Sequence, residues 1–364
     1  MNKGSRSTLL VAVLCILVGI AIIAVAVALT PGGFSKIWKD AVNTNYMDKL
    51  ENIGVSVPGG SKNWKNAYSP DGKYTVTESV SGIDIDWLAG KVIVKPYSGK
   101  DITFTETADK KITEDTALGW GIEKGVLSIQ YLKRNNISLG SKDPIKTIEV
   151  LVPQQLADNM SILDVDSTSG IIDISEIRAD KMDADAASGD VYLSNVTAKE
   201  LDVDTASGNA FMTDVKVEGT LNIDSASGDA EISGYAGKAD IDTASGGVRA
   251  TDLTAGDLSI DTSSGDISVC GAFKKIEFDT ASGEIYAELT EFPEYIDIDG
   301  ASGNVTLALP PSGGGFTLDY DSGSGDLDCG VPVMMKGSSF VYGDGSCSIS
   351  VDTASGDLTL KFIV

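Results

Sequence analysis

Apolar and acidic residues alternate through much of the C-terminal half of the chain. Residues 201–205 read Leu-Asp-Val-Asp-Thr, and similar alternation returns at 221–224, 258–261 and 296–299. A second alternating stretch follows, as in 191–193, 267–269 and 305–307. Because successive side chains of a strand point to opposite faces, this period of two predicts strands with one buried face.

A Ser-Gly pair separates the two alternating stretches of each repeat. The glycines are spaced by 19, 19, 20, 18, 19, 18, 20, 22 and 31 residues, which chance does not produce. Glycine accepts positive φ without steric cost, so we predict that each pair forms a tight corner in that conformation, where a larger side chain such as valine would also crowd the adjacent repeat. The predicted corner glycines are Gly170, Gly189, Gly208, Gly228, Gly246, Gly265, Gly283, Gly303, Gly325 and Gly356.

Each repeat is thus predicted to contain two strands and two corners. So short a unit cannot bury its apolar face alone, and neighbouring repeats must stack about 4.8 Å apart. The sequence therefore predicts an all-β fold, a parallel β-solenoid with coils of about 19 residues. An antiparallel meander of hairpins is the alternative. The solenoid is favoured because near-identical periods and corners imply identical coils.

An aspartate precedes the corner in most repeats, and stacking places these carboxylates in a column. Neighbours at this spacing repel by about 3.5 kcal/mol at an effective dielectric constant of 20. We predict that each carboxylate caps its own corner by accepting backbone N–H bonds, and a row of Ca²⁺ ligands is the alternative. The corner aspartates include Asp185, Asp204, Asp224, Asp242, Asp261, Asp279, Asp299 and Asp352.

The negative charge of the chain is concentrated in its repeats. Of the net charge of -25, residues 161–364 carry 37 acidic and 10 basic groups, whereas residues 31–160 are balanced. Such a surface argues against nucleic-acid binding, which needs clusters of Lys and Arg. Histidine is absent, so the commonest general base and metal ligand are missing. We predict no enzymatic activity, no catalytic or metal-binding residues and no cofactor.

Four cysteines are present without the spacing of a zinc site or a disulfide framework. Cys15 lies in an apolar run, and Cys270, Cys329 and Cys347 are scattered among the repeats. Buried free thiols are the favoured interpretation. A Cys329–Cys347 bridge is the alternative.

An apolar segment near the N-terminus predicts a membrane anchor. Residues 8–29 carry no charge, which meets the requirement of about 20 residues for a transmembrane helix. Lys3 and Arg6 precede this segment, so the positive-inside rule places the N-terminus in the cytoplasm and the C-terminal domain outside. We expect a single-pass protein of the cell membrane. A cleaved signal peptide is the alternative, because small residues around Ala28 offer a cleavage site.

These patterns divide the chain into four regions. Residues 1–30 form the cytoplasmic stub and transmembrane helix, and residues 31–73 form a juxtamembrane helix and linker. Residues 74–160 supply opening β-strands, and residues 161–364 form the acidic solenoid repeats with a closing coil.

The recurrent Asp-Thr-Ala-Ser-Gly-Asp phrase resembles the bacterial "putative adhesin" family of β-strand-repeat proteins, a domain of unknown function. The likeness covers roughly residues 75–364. Residues 90–95 and 102–105 look like the opening strands of the family, and residues 125–129 and 148–153 look like the strands that lead into its repeats. Residues 340–345 and 349–357 are similar to its closing coil. The resemblance implies a surface or envelope protein and brings no catalytic residues with it.

Three functions remain open at this point. We expect a membrane-anchored, extracytoplasmic β-solenoid that acts as an adhesin-like or envelope-stress accessory binding module with an unidentified envelope or surface ligand. A polysaccharide-acting β-helix enzyme is one alternative, which the serial sameness of the acids disfavours. A Ca²⁺-stiffened structural spacer is the other.

Overall fold

The structure, a computed structural model, describes residues 68–131 and 144–363. The predicted cytoplasmic stub, transmembrane helix and juxtamembrane helix lie outside these residues. Within the described part of the chain, no helix is both long enough and apolar enough to cross a membrane. One short helix, α1 (Gln154–Ala157), accompanies the strands there.

Strands account for nearly all regular structure in the described residues. The opening part contains β1 (Lys73–Val76), β2 (Gly82–Tyr97), β3 (Ile102–Ala108), β4 (Gly119–Glu123), β5 (Val126–Gln130) and β6 (Lys146–Pro153). The repeats contain β7 (Met160–Ser175), β8 (Arg178–Ala186), β9 (Val191–Ser194), β10 (Thr197–Thr205), β11 (Ala210–Ser225), β12 (Ala230–Thr243), β13 (Val248–Thr262), β14 (Ile267–Ser282), β15 (Ile285–Leu289), β16 (Tyr295–Ser302) and β17 (Val305–Leu309). The distal part contains β18 (Phe316–Ser322), β19 (Leu327–Cys329), β20 (Met334–Lys336), β21 (Ser339–Tyr342), β22 (Cys347–Ser355) and β23 (Leu358–Phe362).

Neighbouring repeats pair as parallel strands in register. β11 pairs with β12, β12 with β13 and β13 with β14, always in parallel. Leu221, Ala239, Leu258 and Ile276 therefore lie opposite one another, and all four are buried. Stacked rows of this kind form the core, because each coil covers the apolar face of the next. The all-β parallel solenoid is confirmed, and the antiparallel meander is excluded for the repeats.

Each coil has three straight segments, one more than the sequence predicted. The pairing of β11 with β12 covers residues 210–212, 215–217 and 220–225, with two interruptions. Asp214 lies at the first interruption with φ 53°, and Asn195 and Asp252 occupy the equivalent bends with the same φ. The prediction of two strands and two corners was wrong because this bend uses varied residue types and leaves no repeated phrase in the sequence.

The order of the coils in space differs from their order in the chain at both ends. β2 lies between β7 on one side and β5 and β6 on the other. At the distal end, β22 and β23 lie between the coil of β16 and β17 and the coil of β18 and β19. The segment predicted as the closing coil is therefore the last but one. We call β18 and β19 the terminal coil.

The opening part buries a lysine and a glutamate together. Lys146 Nζ lies 2.7 Å from Glu106 Oε1, and both side chains are fully buried. Lys146 Nζ also donates a hydrogen bond to the Tyr131 carbonyl and lies 4.4 Å from the centre of the Tyr131 ring. The backbone N–H of Leu118 donates to the Glu106 carboxylate. The pair fastens β3 to β6, which run antiparallel beside the first coils.

Cys270, Cys329 and Cys347 are free thiols in the structure. Burial raises the pKa of Cys347 to about 12. The prediction of free thiols is confirmed for these three residues, but only Cys347 is buried, whereas Cys270 and Cys329 are half-buried. The Cys329–Cys347 bridge is not formed.

Candidate functional site: the acidic face

The corner glycines stack directly on one another along the solenoid. A Cβ atom added to Gly208 would lie 1.8 Å from the carbonyl oxygen of Gly189, and one added to Gly228 would lie 1.7 Å from that of Gly208. Only Gly283 and Gly303 among the predicted corner glycines have positive φ, 157° and 128°. The prediction of positive φ was wrong at the other corners. Glycine is required there because the neighbouring coil leaves no room for a side chain.

The corners are capped by hydroxyl side chains. The Gly228 N–H donates to Ser225 Oγ at 2.9 Å, and the Gly265 N–H donates to Thr262 Oγ1 at 2.9 Å. Each hydroxyl belongs to the residue after the corner aspartate. The prediction that Asp224 and Asp261 cap these corners was therefore wrong. The signal was present in the sequence, since a serine or threonine follows the aspartate in most repeats, as at Ser167, Thr205, Ser225, Thr243, Thr262, Thr280, Ser322 and Thr353.

The residue after the corner glycine links one coil to the next. Asp190 Oδ1 accepts the Asn209 N–H at 2.9 Å, and Asn209 Oδ1 accepts the Asp229 N–H at 2.9 Å. Asp229 Oδ1 then accepts the Gly247 N–H at 2.8 Å. Aspartate and asparagine both supply an oxygen in this position, which explains why the sequence alternates between them. These carboxylates are structural acceptors.

The corner aspartates form one continuous row, which we call the aspartate column. In-register pairing places each carboxylate opposite that of the next coil. The column extends into the opening part at Asp86 and ends in the terminal coil at Asp321. In spatial order its members are Asp86, Asp166, Asp185, Asp204, Asp224, Asp242, Asp261, Asp279, Asp299, Asp352 and Asp321.

A second row runs beside the aspartate column on the same outward side of the strands. It contains Asp84, Asp164, Asp183, Asp202, Asn222, Asp240, Ser259, Glu277, Asp297, Ser350 and Asp319. Lysines neutralise part of this second row: Lys181 Nζ lies 2.7 Å from Asp183 Oδ2, and Lys238 Nζ lies 2.5 Å from Asp240 Oδ2. We call the two rows together the acidic face.

Several carboxyl groups of the acidic face hold their protons more tightly than ordinary aspartates. Burial, together with neighbouring carboxylates, raises the pKa of Asp166 to about 8 and that of Asp164 to about 7. The same causes raise the pKa of Asp204 to about 6. Asp185 lies opposite Asp166 in the register, and its carboxylate is one cause of the raised pKa of Asp166. A proton retained on Asp166 lowers the repulsion that stacking creates.

The acidic face lacks the geometry of a singular site. In the described ranges, no group of three or more acidic or cysteine side chains is arranged to hold a metal ion. A shallow depression of about 270 Å³ lies on a different side of the coils, lined by Glu284, Tyr286, Asn304, Thr306, Asp357 and Thr359. Serial carboxylates of this kind present an extended anionic surface.

The structure places the predicted site residues in two structural roles. All ten corner glycines lie in the stacked corners, and Asp204, Asp224, Asp242, Asp261 and Asp279 lie together in the aspartate column. Two roles were not predicted from the sequence: the hydroxyl side chains cap the corners, and the residues after the glycine link neighbouring coils.

The chain is similar to one family model and to several solved structures. The family model described as Toastrack DUF4097 matches residues 80–274 and, separately, residues 236–361. A "putative lipid binding protein" from Parabacteroides distasonis is 20% identical, covering 65% of this chain and 96% of that chain, with a TM-score of 0.43. A "putative adhesin" from the same organism is 13% identical, covering 82% and 98%, with a TM-score of 0.43. A "putative adhesin" from Parabacteroides merdae is 11% identical, covering 84% and 98%, with a TM-score of 0.38. No curated protein matches the chain.

Proposed function

Because the chain belongs to the Toastrack DUF4097 family, we propose that it is a non-enzymatic binding module that displays its solenoid on the outer side of the cell membrane. Membership in this family confirms the resemblance carried by the recurrent phrase. The observation that carries the proposal is the acidic face, in which the aspartate column repeats an outward carboxylate from coil to coil. In this function the solenoid acts as an adhesin-like or envelope-stress accessory module.

A parallel solenoid suits this role because it offers a long surface with little mobile backbone. Its corners are fixed by glycine packing, hydroxyl caps and cross-coil hydrogen bonds, as at Gly208, Ser225 and Asp190. A ligand that spans several coils therefore meets side chains at a constant spacing. Polyvalent contact of this kind gives avidity without a deep pocket.

Anchoring in the membrane is part of the proposal and rests on the uncharged segment 8–29. Its orientation follows from Lys3 and Arg6. Protease added to intact cells is expected to digest the repeats while the parent chain fractionates with the membrane. Release of a mature chain that begins near Ala28 contradicts the anchor and establishes a cleaved signal peptide.

Binding is tested with the full-length chain in detergent, used to capture ligands from solubilised cell envelopes. The variant Asp204→Asn/Asp224→Asn/Asp242→Asn removes three neighbouring charges of the aspartate column. The variant Lys216→Ala, on another side of the coils, is the matched control because Lys216 pairs opposite Thr197 and Tyr235, away from the column. We expect the triple variant to lose the captured ligand and the control to retain it. Equal capture by the two variants contradicts a role of the acidic face.

The two alternative functions have less support. A polysaccharide-acting enzyme needs a unique pair of carboxyl groups at a scissile bond, whereas the acids of the column repeat from coil to coil. A Ca²⁺-stiffened spacer needs a set of 6–8 oxygen ligands for each ion. Within the part of the chain that the structure describes, no group of three or more acidic or cysteine side chains is arranged to hold such an ion.

A further inference from the structure

The two ends of the solenoid are finished in different ways. At the opening end, β3 pairs antiparallel with β6, β1 pairs antiparallel with β3, and β4 pairs antiparallel with β5. These strands cover a buried aromatic cluster in which the Tyr74 and Phe104 rings stack at 4.9 Å and Trp120 packs edge-on against Phe104. A solenoid needs such a cap, because the open edge of its last coil otherwise invites pairing with another chain.

At the distal end, a two-stranded hairpin covers only part of the terminal coil. β21 pairs antiparallel with β18 at Phe316, Thr317 and Leu318, and β20 pairs antiparallel with β21. Among the described residues, β20 has β21 as its only strand partner. The outer edge of β20 therefore carries backbone N–H and C=O groups that no described strand pairs.

The same strand carries the most exposed large apolar side chains of the described residues. Met334 is 72% exposed and Met335 is 70% exposed, whereas Tyr192 and Tyr235 on the sides of the solenoid reach 39% and 43%. Methionine side chains adapt to irregular apolar surfaces and are favoured at contact surfaces. Two of them side by side on an open edge mark an interaction surface.

The charge distribution restricts what this surface can meet. Lys336 is the only charged residue between positions 329 and 343, in a region of the chain that is otherwise strongly acidic. The adjoining terminal coil carries Asp319, Asp321, Asp326 and Asp328. Two copies repel each other along their acidic sides. The hairpin carries no acidic residue, so two copies can meet there without this repulsion, and Lys336 can then attract the acidic terminal coil of the partner copy.

We propose that β20 is a self-association edge through which two copies of this chain join end to end about a two-fold axis. Antiparallel pairing of the two β20 strands satisfies both open edges. Met334 and Met335 point to opposite faces of the strand, so each of them contacts the partner copy on its own face. The contact is isologous, so it closes at two copies. The antiparallel cap at the opening end makes head-to-tail stacking of coils unfavourable, which argues against a filament. The dimer would present two acidic faces at once.

Sedimentation of the full-length chain in density-matched detergent tests this inference. Across a dilution series we expect a reversible equilibrium between one and two copies. The variant Met335→Asp adds a like charge at the contact and is expected to weaken dimerisation by at least about tenfold in the dissociation constant. Tyr235→Asp, which adds the same charge at an exposed position on the side of the coils, is the matched control and is expected to dimerise like the parent.

Met335 is largely exposed. At concentrations where the parent is monomeric, we expect Met335→Asp to unfold at the midpoint of the parent, so that lost dimerisation is separated from lost folding. The variant Met334→Ser provides a second, milder change at the same edge and is expected to weaken the dimer in the same direction. A parent chain that stays monomeric at every concentration overturns the inference. So does a dimer that neither change at β20 weakens, because the contact then lies elsewhere in the chain.

Discussion

The opening part and the repeats handle buried charge in opposite ways. Lys146 and Glu106 are fully buried, but they form one compensated pair, 2.7 Å apart. Asp166 and Asp185 stack in the aspartate column, and both have raised pKa values. The opening part thus contains a single ion pair whose charges cancel. The repeats instead contain a row of like charges, and partial exposure and retained protons lower the repulsion between them. The difference shows that the raised pKa values of the repeat aspartates arise because stacking partly buries their carboxyl groups and places them next to one another.

The largest expected effect comes from breaking the singular pair. Lys146→Met leaves the Glu106 carboxylate buried without its cation, which costs about 3–5 kcal/mol of the free energy of unfolding. The double variant Lys146→Met/Glu106→Leu is expected to recover much of this loss because no charge remains buried. Chemical unfolding of the full-length chain in detergent measures both.

The matched control is Lys95→Met, which removes the exposed ion pair between Lys95 and Glu149, 43% and 38% exposed. Exposed pairs contribute about 0–1 kcal/mol. If Lys146→Met unfolds like Lys95→Met, the buried pair has no special role in the opening part.

The next largest effect concerns the stacked corners of the repeats. Gly208→Ala places a Cβ atom 1.8 Å from the Gly189 carbonyl oxygen and must push two coils apart. We expect a loss of about 1–3 kcal/mol, typical of overpacking. Gly300→Ala is the control, because a Cβ atom there meets its nearest neighbour at 3.9 Å. If Gly208→Ala and Gly300→Ala have equal unfolding midpoints, close packing of the corners is not the reason why glycine is required there.

The acidic face predicts that the chain is more stable in mild acid than in mild base. Folded pKa values of about 8 for Asp166, about 7 for Asp164 and about 6 for Asp204 lie above the ordinary value of 3.8. The folded state therefore binds more protons than the unfolded state between about pH 4 and pH 8, and stability falls as the pH rises through that window. Melting temperatures measured from pH 8 to pH 5 should rise. Asp166→Asn should flatten this trend, and a rise in stability toward pH 8 contradicts the account.

The smallest effect expected is that of calcium. If the acidic face holds no ligand set, Ca²⁺ stabilises the chain only by screening, as NaCl does at the same ionic strength. An ion bound only by the folded state adds stability that follows its concentration and saturates. Calorimetric titration distinguishes the two, and a saturable heat with a melting temperature that NaCl does not reproduce supports the spacer function.

The coil period and the aspartate column could both be predicted from the sequence, because the repeated phrase sets which residues of neighbouring coils lie opposite one another. The physical reason for glycine at the corners could not be decided from the sequence. Positive φ and close approach of the next coil both require glycine, and only the geometry at Gly208 separates them. The third segment of each coil was hidden for another reason: its bend accepts Glu176, Asn195, Asp214 and Asp252, all with positive φ, so no single residue type marks it.

The order of the coils was also beyond the sequence. A period identifies which segments form coils, but β22 fits either neighbour in the stack equally well by pattern. In the structure it pairs with β16 on one side and β18 on the other. Insertion of β22 leaves the coil of β18 and β19 at the end of the stack, which is why the exposed hairpin beside it was not foreseen.

Beyond the effect of burial, neighbouring carboxyl groups of the stacked coils raise one another's pKa values, and a carboxyl NMR titration of the aspartate-labelled chain in detergent tests this coupling. We expect Asp166 to titrate near pH 8, far above an ordinary aspartate, and its resonance to shift together with that of Asp185. In Asp185→Asn the pKa of Asp166 should fall, because a neighbouring charge is removed. Independent titration of Asp166 near pH 4 in the parent chain would contradict this coupling.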